Sequence, residues 1–472
     1  MTLPRTLSLA MIDGVRVTVP DSLEQITPYV LREQHDWFED EIGFVRRLLL
    51  PGENAIDVGA NFGVYALAMA RLVGPAGHVW AYEPSSETAA FLAASVRENE
   101  FSQLTLEQIA LSAKTGMATL ALNADSELNA LVETSADAVA PAAVEHVRVT
   151  TLDERMVTHD WRAIAFIKLD AEGEEMNILH GGRQFFAGQS PLVQYEVKAG
   201  TALHLELAGA FAAIGYRSYR LVPGLGLLVP FETDAPVDGY LLNLFCCKAD
   251  RAAMLAARGL LAEMPGSNAQ DSGDVNGAQY GWQRSLASMP YVARLAEDWQ
   301  RVTANGAFAE SARALALHAR AHDRSLGPAE RFAALAQSYQ LLRKYSERDG
   351  RILTLLSLAR VARELGNRSV AVNALGRFIQ VLLERRQIEI GEPFLVPEPR
   401  FEAMTPGADL GRWLLAAALE ALERASAFSS FYGSGETLTR LSMIHELGFG
   451  SDEMHRRLDL VRARIAPPAQ AA

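Results

Sequence analysis

Cysteine is nearly absent: the 472 residues hold two, adjacent at Cys246-Cys247, which rules out a disulfide framework and fits a reducing compartment. Set in the apolar run Leu241-Leu242-Asn243-Leu244-Phe245-Cys246-Cys247, they read as core hydrophobes, not nucleophiles. That run is strand-sized, and no stretch approaches the ~20 apolar residues a bilayer span needs. The opening Met1-Thr2-Leu3-Pro4-Arg5 leads into no secretory h-region, so a cytoplasmic location is expected. Positive charge is scarce as well. Lys and Arg number 44 against 57 Asp and Glu, a net charge of −13 that argues against nucleic acid or an anionic membrane as partner.

One glycine is missing from an otherwise familiar turn. Asp57-Val58-Gly59-Ala60-Asn61-Phe62-Gly63 follows the apolar strand Asn54-Ala55-Ile56 and leads into the helical pattern 64–70, the first crossover of a doubly wound sheet. A dinucleotide fingerprint reads G-x-G-x-x-G, and here Asn61 stands where its second glycine belongs, which makes pyrophosphate the poorer ligand. Gly59 and Gly63 allow positive φ and close approach of a ligand to backbone amides, and the next helix offers orphan N–H donors. Twenty residues beyond Gly63, the run 79–82 ends in Glu83-Pro84, an acid placed to accept both hydroxyls of a ribose. A ribose without a diphosphate points to S-adenosylmethionine. The plainer alternative for Asp57 and Glu83 is that each caps its own turn.

Together with Ala110-Leu111-Ser112, Thr151-Leu152-Asp153 and Ile167-Lys168-Leu169-Asp170-Ala171-Glu172-Gly173-Glu174-Glu175, these segments resemble the ordered motifs of FkbM-type S-adenosylmethionine-dependent methyltransferases. The resemblance runs from about Ile26 to Lys248. It implies a class I methyltransferase fold, an α/β doubly wound and mostly parallel sheet with an antiparallel final strand. It also implies O-methylation of a hydroxyl on a sugar, glycan or related metabolite. Enzymes that methylate exocyclic base amines commonly carry Asn/Asp-Pro-Pro-aromatic at the fourth strand; this chain has Leu169-Asp170-Ala171-Glu172.

At this length one hydrophobic core no longer suffices, and at least two domains are expected. Residues 1–50 read as a hairpin around Asp13-Gly14 and an amphipathic covering stretch from Ile26 to Leu50. Alternating strand and helix signals over 51–261 make the methyltransferase domain, with a β ribbon inserted between Ser112 and Thr151. Residues 262–285, rich in Gly, Asn, Ser and Asp, read as a linker, and 467–472 as a disordered tail. Between them, 286–466 is helical. Ile352, Leu355, Leu356, Ala359, Ala362 and Leu365 share one face, and Ala371, Ala374, Leu375, Phe378 and Leu382 another, across a Leu365-Gly366-Asn367 turn. The pair is similar to a tetratricopeptide unit, which suggests a protein partner for this region.

The cofactor-binding set expected is Asp57, Gly59, Asn61, Gly63, Tyr65, Glu83 and Pro84, with Ile109 and Ala110, ending the third strand, flanking adenine. A sugar hydroxyl is a weak nucleophile at neutral pH and needs a base or a metal beside the methyl group. Asp170, ending the fourth strand at the mouth of the crevice, and Glu172 are the expected catalytic carboxylates. Mg²⁺ suits such hard oxygen ligands, though nothing in the spacing requires it. Lys168, Glu196 and Lys198 stand near strand ends within reach of a substrate, whereas His180 and His204 lie in helical patterns and read as structural. Two alternatives remain: a methyltransferase acting on another small molecule or a protein, and an interaction scaffold on a degenerate methyltransferase fold. Oligomeric state is not legible.

Overall fold

A computed structural model describes residues 5–465 except 124, 133–142, 200–201, 204, 234–235, 264–282, 284–285, 305–307, 349–350 and 386–390. His204, nearly all of the expected linker and the expected tail lie outside the described residues, as does the side chain of Lys198. The chain divides into two compact units, 1–221 with 230–236 and 241–258, and 222–229 with 237–240 and 259–472.

The first unit opens on the expected hairpin, β1 (Thr6–Ala10) against β2 (Arg16–Pro20), with Leu7 opposite Val19. The covering stretch is two helices, α1 (Ile26–Gln34) and α2 (Asp40–Leu48), because His35 turns left-handed at φ 58° and ends the first. The central sheet follows from strands whose residues are apolar on both faces, the mark of strands covered on each side. In β3 (Asn54–Val58), Ala55, Ile56 and Val58 are all buried. After it come α3 (Val64–Val73), β4 (His78–Tyr82), α4 (Ser86–Glu98) and β5 (Leu104–Glu107).

The inserted ribbon is present as β6 (Ala110–Leu111), β7 (Gly116–Leu122), β8 (Ala130–Val132) and β9 (Ala143–Thr150), β7 pairing antiparallel with both β8 and β9. Then follow α5 (Leu152–Thr158), β10 (Phe166–Leu169), α6 (Glu175–Gly181) and β11 (Leu192–Glu196). A two-residue ribbon, β12 (Lys198–Ala199) with β13 (Ala202–Leu203), precedes β14 (Arg217–Val222), and β15 (Leu227–Pro230) is grouped, except for its last residue, with the second unit. The last strand is β16 (Asn243–Cys247).

Within the first unit the strand order is β14-β16-β11-β10-β3-β4-β5. From β5 to β11 every pair is parallel, while β16 runs antiparallel to β11 and β14, as expected of the final strand. This is the strand order of a class I methyltransferase. Order reverses between β3 and β10, so the crevice beyond their carboxyl ends is the place for a ligand.

The second unit is helical beyond residue 286. Helices Ala309–Ala321, Pro328–Arg348, Ile352–Leu365, Arg368–Arg385, Leu410–Ser426, Gly435–Leu447 and Asp452–Ile465 follow one another. Gly366 ends one of them at φ 85°, and the Asn367 N–H reaches back to Ala362 O, so the expected turn is a helix cap. Val222, Leu225, Leu227 and Val229 pack in this unit's core with Trp299 and Trp413. The division between units therefore does not run at the expected 261/262 boundary: the β14–β15 turn spends its apolar side chains on the helical core.

Candidate active site

The turn after β3 is shaped by crowding from the chain itself. Gly59 and Gly63 take φ of 76° and 90°; a Cβ on Gly59 would stand 1.7 Å from the Asp170 carbonyl oxygen, and one on Gly63 2.2 Å from Leu92 Cδ1. Any side chain at either position would push the β3 and β10 turns, or α3 and α4, apart. Asn61 is itself left-handed at φ 47°. That conformation turns its N–H toward the end of β4, where it donates to Glu83 Oε2 at 2.9 Å, while the Ser85 N–H donates to Glu83 Oε1 at 2.9 Å. Burial pushes the Glu83 carboxyl up to about 7 in spite of these two amides. Each oxygen still has a free lone-pair direction for a ribose hydroxyl.

A cleft opens here, lined by residues of the glycine turn, the end of β4, the ribbon and the turn after β10. Gly59, Asn61, Glu83, Pro84, Ile109, Ala110, Asp170 and Glu172 are among the residues that line it. Eight of the eleven residues expected from the sequence thus meet in one cavity. Three do not line it. Gly63 is packed under Leu92. Tyr65 points instead toward α2, donating its hydroxyl to Glu39 Oε2 at 2.5 Å with its ring 5.0 Å from Lys168 Nζ.

Asp57 faces a polar row in the sheet: Asp57, Lys168 and Gln194 are register neighbours on β3, β10 and β11. Burial pushes the Asp57 carboxyl up to about 6 against the pull of Lys168 and of the Ala66 backbone N–H. Lys168 does not line the cleft either. It is almost fully buried and donates to Asp170 Oδ2 at 2.6 Å. Burial disfavours its charge, but Asp170, Asp57 and Glu39 around it outweigh that and raise its pKa.

Beyond β10 the chain makes a tight turn, Glu172 at φ 48° and Gly173 at φ 97°, closed by Glu175, whose Oε1 accepts the Ala171 N–H at 2.8 Å. Glu175 thus caps the turn, and Glu174 accepts from Ser112 Oγ at 2.6 Å. Glu172 is free to face the cleft. Burial, then Asp170 and Glu175, push its carboxyl up to about 7; burial, then Asp170 and Glu172, push Glu196 at the end of β11 up to about 9. Carboxylate oxygens of Asp170, Glu172 and Glu196 lie within 4.8 Å of one another, a hard-ligand set of the type Mg²⁺ accepts. His180 lies exposed on α6 and away from the cleft lining.

Sequence reasoning missed the roof. Ser126, Glu127 and Asn129, from the short turn between β7 and β8, line the cleft; Ser126 Oγ donates to Asn61 Oδ1 at 3.1 Å. Glu127 accepts from Thr27 on α1, and burial pushes it up to about 8. No local pattern marks such residues, since only the fold brings the ribbon over the glycine turn.

No curated protein matches the chain. Among solved structures it is similar to an S-adenosylmethionine-dependent methyltransferase from Aquifex aeolicus (12% identity, 47% of this chain and 93% of that one, TM-score 0.25). It is also similar to an S-adenosylmethionine-dependent O-methyltransferase from Thermotoga maritima (14%, 51% and 77%, 0.26) and to an rRNA methylase from Streptococcus thermophilus (8%, 44% and 93%, 0.24). At scores this low the fold assignment rests on strand order and register instead. The model of the methyltransferase FkbM domain matches residues 57–218, which run from the acid of the first turn through the ribbon, the Asp170 turn and β11 into β14. The chain thus carries a methyltransferase FkbM domain, and its cleft lies where that domain's ordered motifs converge.

Proposed function

We propose that the protein transfers a methyl group from S-adenosylmethionine to a hydroxyl of a sugar, glycan or related metabolite, with Glu172 as the base. The cofactor fits the residues present. Glu83 offers free lone pairs for a ribose diol, and Ile109 and Ala110 give an apolar wall for a planar base. When bound, S-adenosylmethionine supplies an electrophilic methyl group on a sulfonium.

The chain supplies the rest. Glu172 lines the cleft with its carboxylate beside those of Asp170 and Glu196, and this convergence is the observation that carries the reading: burial, then Asp170, push its pKa up, and a base is most effective when its pKa lies near the working pH. Asp170, tied to Lys168, stays beside it as a fixed negative charge that helps to hold the Glu172 proton affinity up. The acceptor hydroxyl would give its proton to Glu172 as its oxygen bonds to the methyl carbon, the C–S bonding pair leaving on the sulfur of S-adenosylhomocysteine. Glu127 and Ser126 close the cleft over the glycine turn and limit water there. Glu83, Glu127, Asp170, Glu172 and Glu174 line the cleft, which suits a neutral polyhydroxyl acceptor better than an anionic one.

The test is a panel of carbohydrates and glycosylated metabolites incubated with the protein and methyl-labelled S-adenosylmethionine, products read by mass spectrometry. Label on a carbohydrate oxygen supports the proposal. Label only on amines, carboxylates or protein overturns the O-methylation reading.

A further inference from the structure

Two histidines and a glutamate converge in the helical unit, apart from any residue of the cleft. His318 sits in the last turn of helix Ala309–Ala321 and His322 follows as its cap, four residues on and so on the same face. Glu364 faces them from the end of helix Ile352–Leu365. Both imidazoles present Nε2 to a single oxygen, Glu364 Oε2, at 2.9 and 3.1 Å, and their rings stand 4.6 Å apart.

We propose that His318, His322 and Glu364 form a site for a divalent transition-metal ion of the zinc class. Zinc holds imidazole nitrogen and carboxylate oxygen at ~2.0–2.2 Å, so ligand atoms of a tetrahedral site lie ~3.4 Å apart. The two nitrogens stand a few tenths of an ångström inside that distance from the shared oxygen and need only a small opening to accept an ion. Two imidazoles with one carboxylate select zinc and its neighbours over Mg²⁺ or Ca²⁺.

The support around the ligands is that of a metal site. Arg360, one turn before Glu364, holds the other oxygen, Oε1, and orients the carboxylate. The Arg360 charge is shared with Glu402 at 3.2 Å, so the two carboxylates and one guanidinium leave a net negative charge beside the imidazoles. The wall behind is fixed: the Gly224 N–H donates to the Glu364 carbonyl at 2.9 Å, and a Cβ on Gly224 would meet Glu364 Cβ at 2.3 Å. His318 and Glu364 are buried while the His322 side chain is 37% exposed, so the fourth position opens to water and an ion has a way in. Three protein ligands and one open position distinguish this from a closed structural site.

The experiment uses the full-length chain without a histidine tag, stripped with a chelator and titrated with Zn²⁺ in a calorimeter. One Zn²⁺ per chain is expected, with a rise in Tm that Mg²⁺ does not produce. His322→Gln removes the exposed ligand and leaves the buried packing in place, so its metal-free Tm should match wild type. Its Zn²⁺ affinity should be at least about 100-fold weaker, since even residues that only support a ligand are worth 10–100-fold. Co²⁺ in place of Zn²⁺ should give the intense visible band of tetrahedral coordination in wild type and not in His322→Gln. Absence of stoichiometric Zn²⁺ binding, or an affinity and Co²⁺ band unchanged in His322→Gln, overturns the site.

Discussion

Replacing Glu83 tests the cofactor end of the cleft, and the two plausible effects of the change separate by measurement. In Glu83→Ala the Asn61 and Ser85 N–H groups lose their acceptor; orphaning a buried amide costs about 1–3 kcal/mol each. Against this, a carboxyl raised from 4.5 to about 7 is held ionised at pH 7.5 at a cost of about 3 kcal/mol, which its removal relieves. The two terms nearly cancel, so the cofactor-free Tm should move by only a few degrees. Cofactor affinity has no such compensation. Two charge-assisted bonds to ribose, about 1.5–3 kcal/mol each, put the loss at tenfold as a minimum and ~10²–10⁴-fold if both are complete.

The pH dependence sharpens this test. Because the folded-state pKa is raised, the Glu83 contribution to stability is fully present below about 4.5 and is lost as pH rises through about 7, while the ionised form that binds ribose best appears over that same upper range. The ratio of wild-type to Glu83→Gln affinity for S-adenosylmethionine should therefore rise from pH 6 to pH 8.5. Calorimetric titration across that range is the assay. A folded Glu83→Ala with wild-type affinity, or a ratio of wild type to Glu83→Gln that ignores pH, would refute the placement of Glu83 against ribose.

Three further outcomes are expected. Glu172→Gln should lower kcat by ~10²–10⁴, the usual worth of a positioned base, abolish the rise of rate with pH near 7, and leave cofactor affinity and Tm near wild type; unchanged turnover on a methylated acceptor removes Glu172 as the base. Asp170→Asn should leave the buried Lys168 ammonium without its carboxylate, lowering Tm, and shift the Glu172 limb of the pH–rate profile downward; a variant matching wild type in Tm, rate and profile would strip Asp170 of both roles. A chain cut after Met264 keeps Val222, Leu225, Leu227 and Val229 but loses the helical core they occupy, so it should be poorly soluble or melt well below the full-length protein; a soluble truncation with wild-type Tm would show that those residues find another home.

What the sequence revealed was whatever is local. Asp57 to Gly63 is legible because strand, turn and helix follow one another within a few residues, and Glu83 because one crossover fixes its distance from the turn. Asp170 and Glu172 follow from the end of a strand. What needs the third dimension was not legible. Tyr65 leaves the cleft because its place on α3 aims it at Glu39, and Lys168 and Asp170, read as two separate groups, are one ion pair. Glu127 and Ser126 come from an irregular ribbon without periodicity. The Asn61 conformation that binds Glu83 is set by a left-handed φ that no residue pattern announces. Residues 222–229 fall inside the span 51–261 read as the methyltransferase domain, yet their apolar side chains serve the helices, a packing that no local pattern announces.

Binding of the methyl donor tests the whole account most directly. The full-length chain titrated with S-adenosylmethionine, and separately with NAD⁺, should bind one S-adenosylmethionine per chain and no NAD⁺, because the turn at Asn61 lacks the glycine a pyrophosphate needs. Failure to bind S-adenosylmethionine, or preference for NAD⁺, would contradict the reading of this cleft as the seat of methyl transfer.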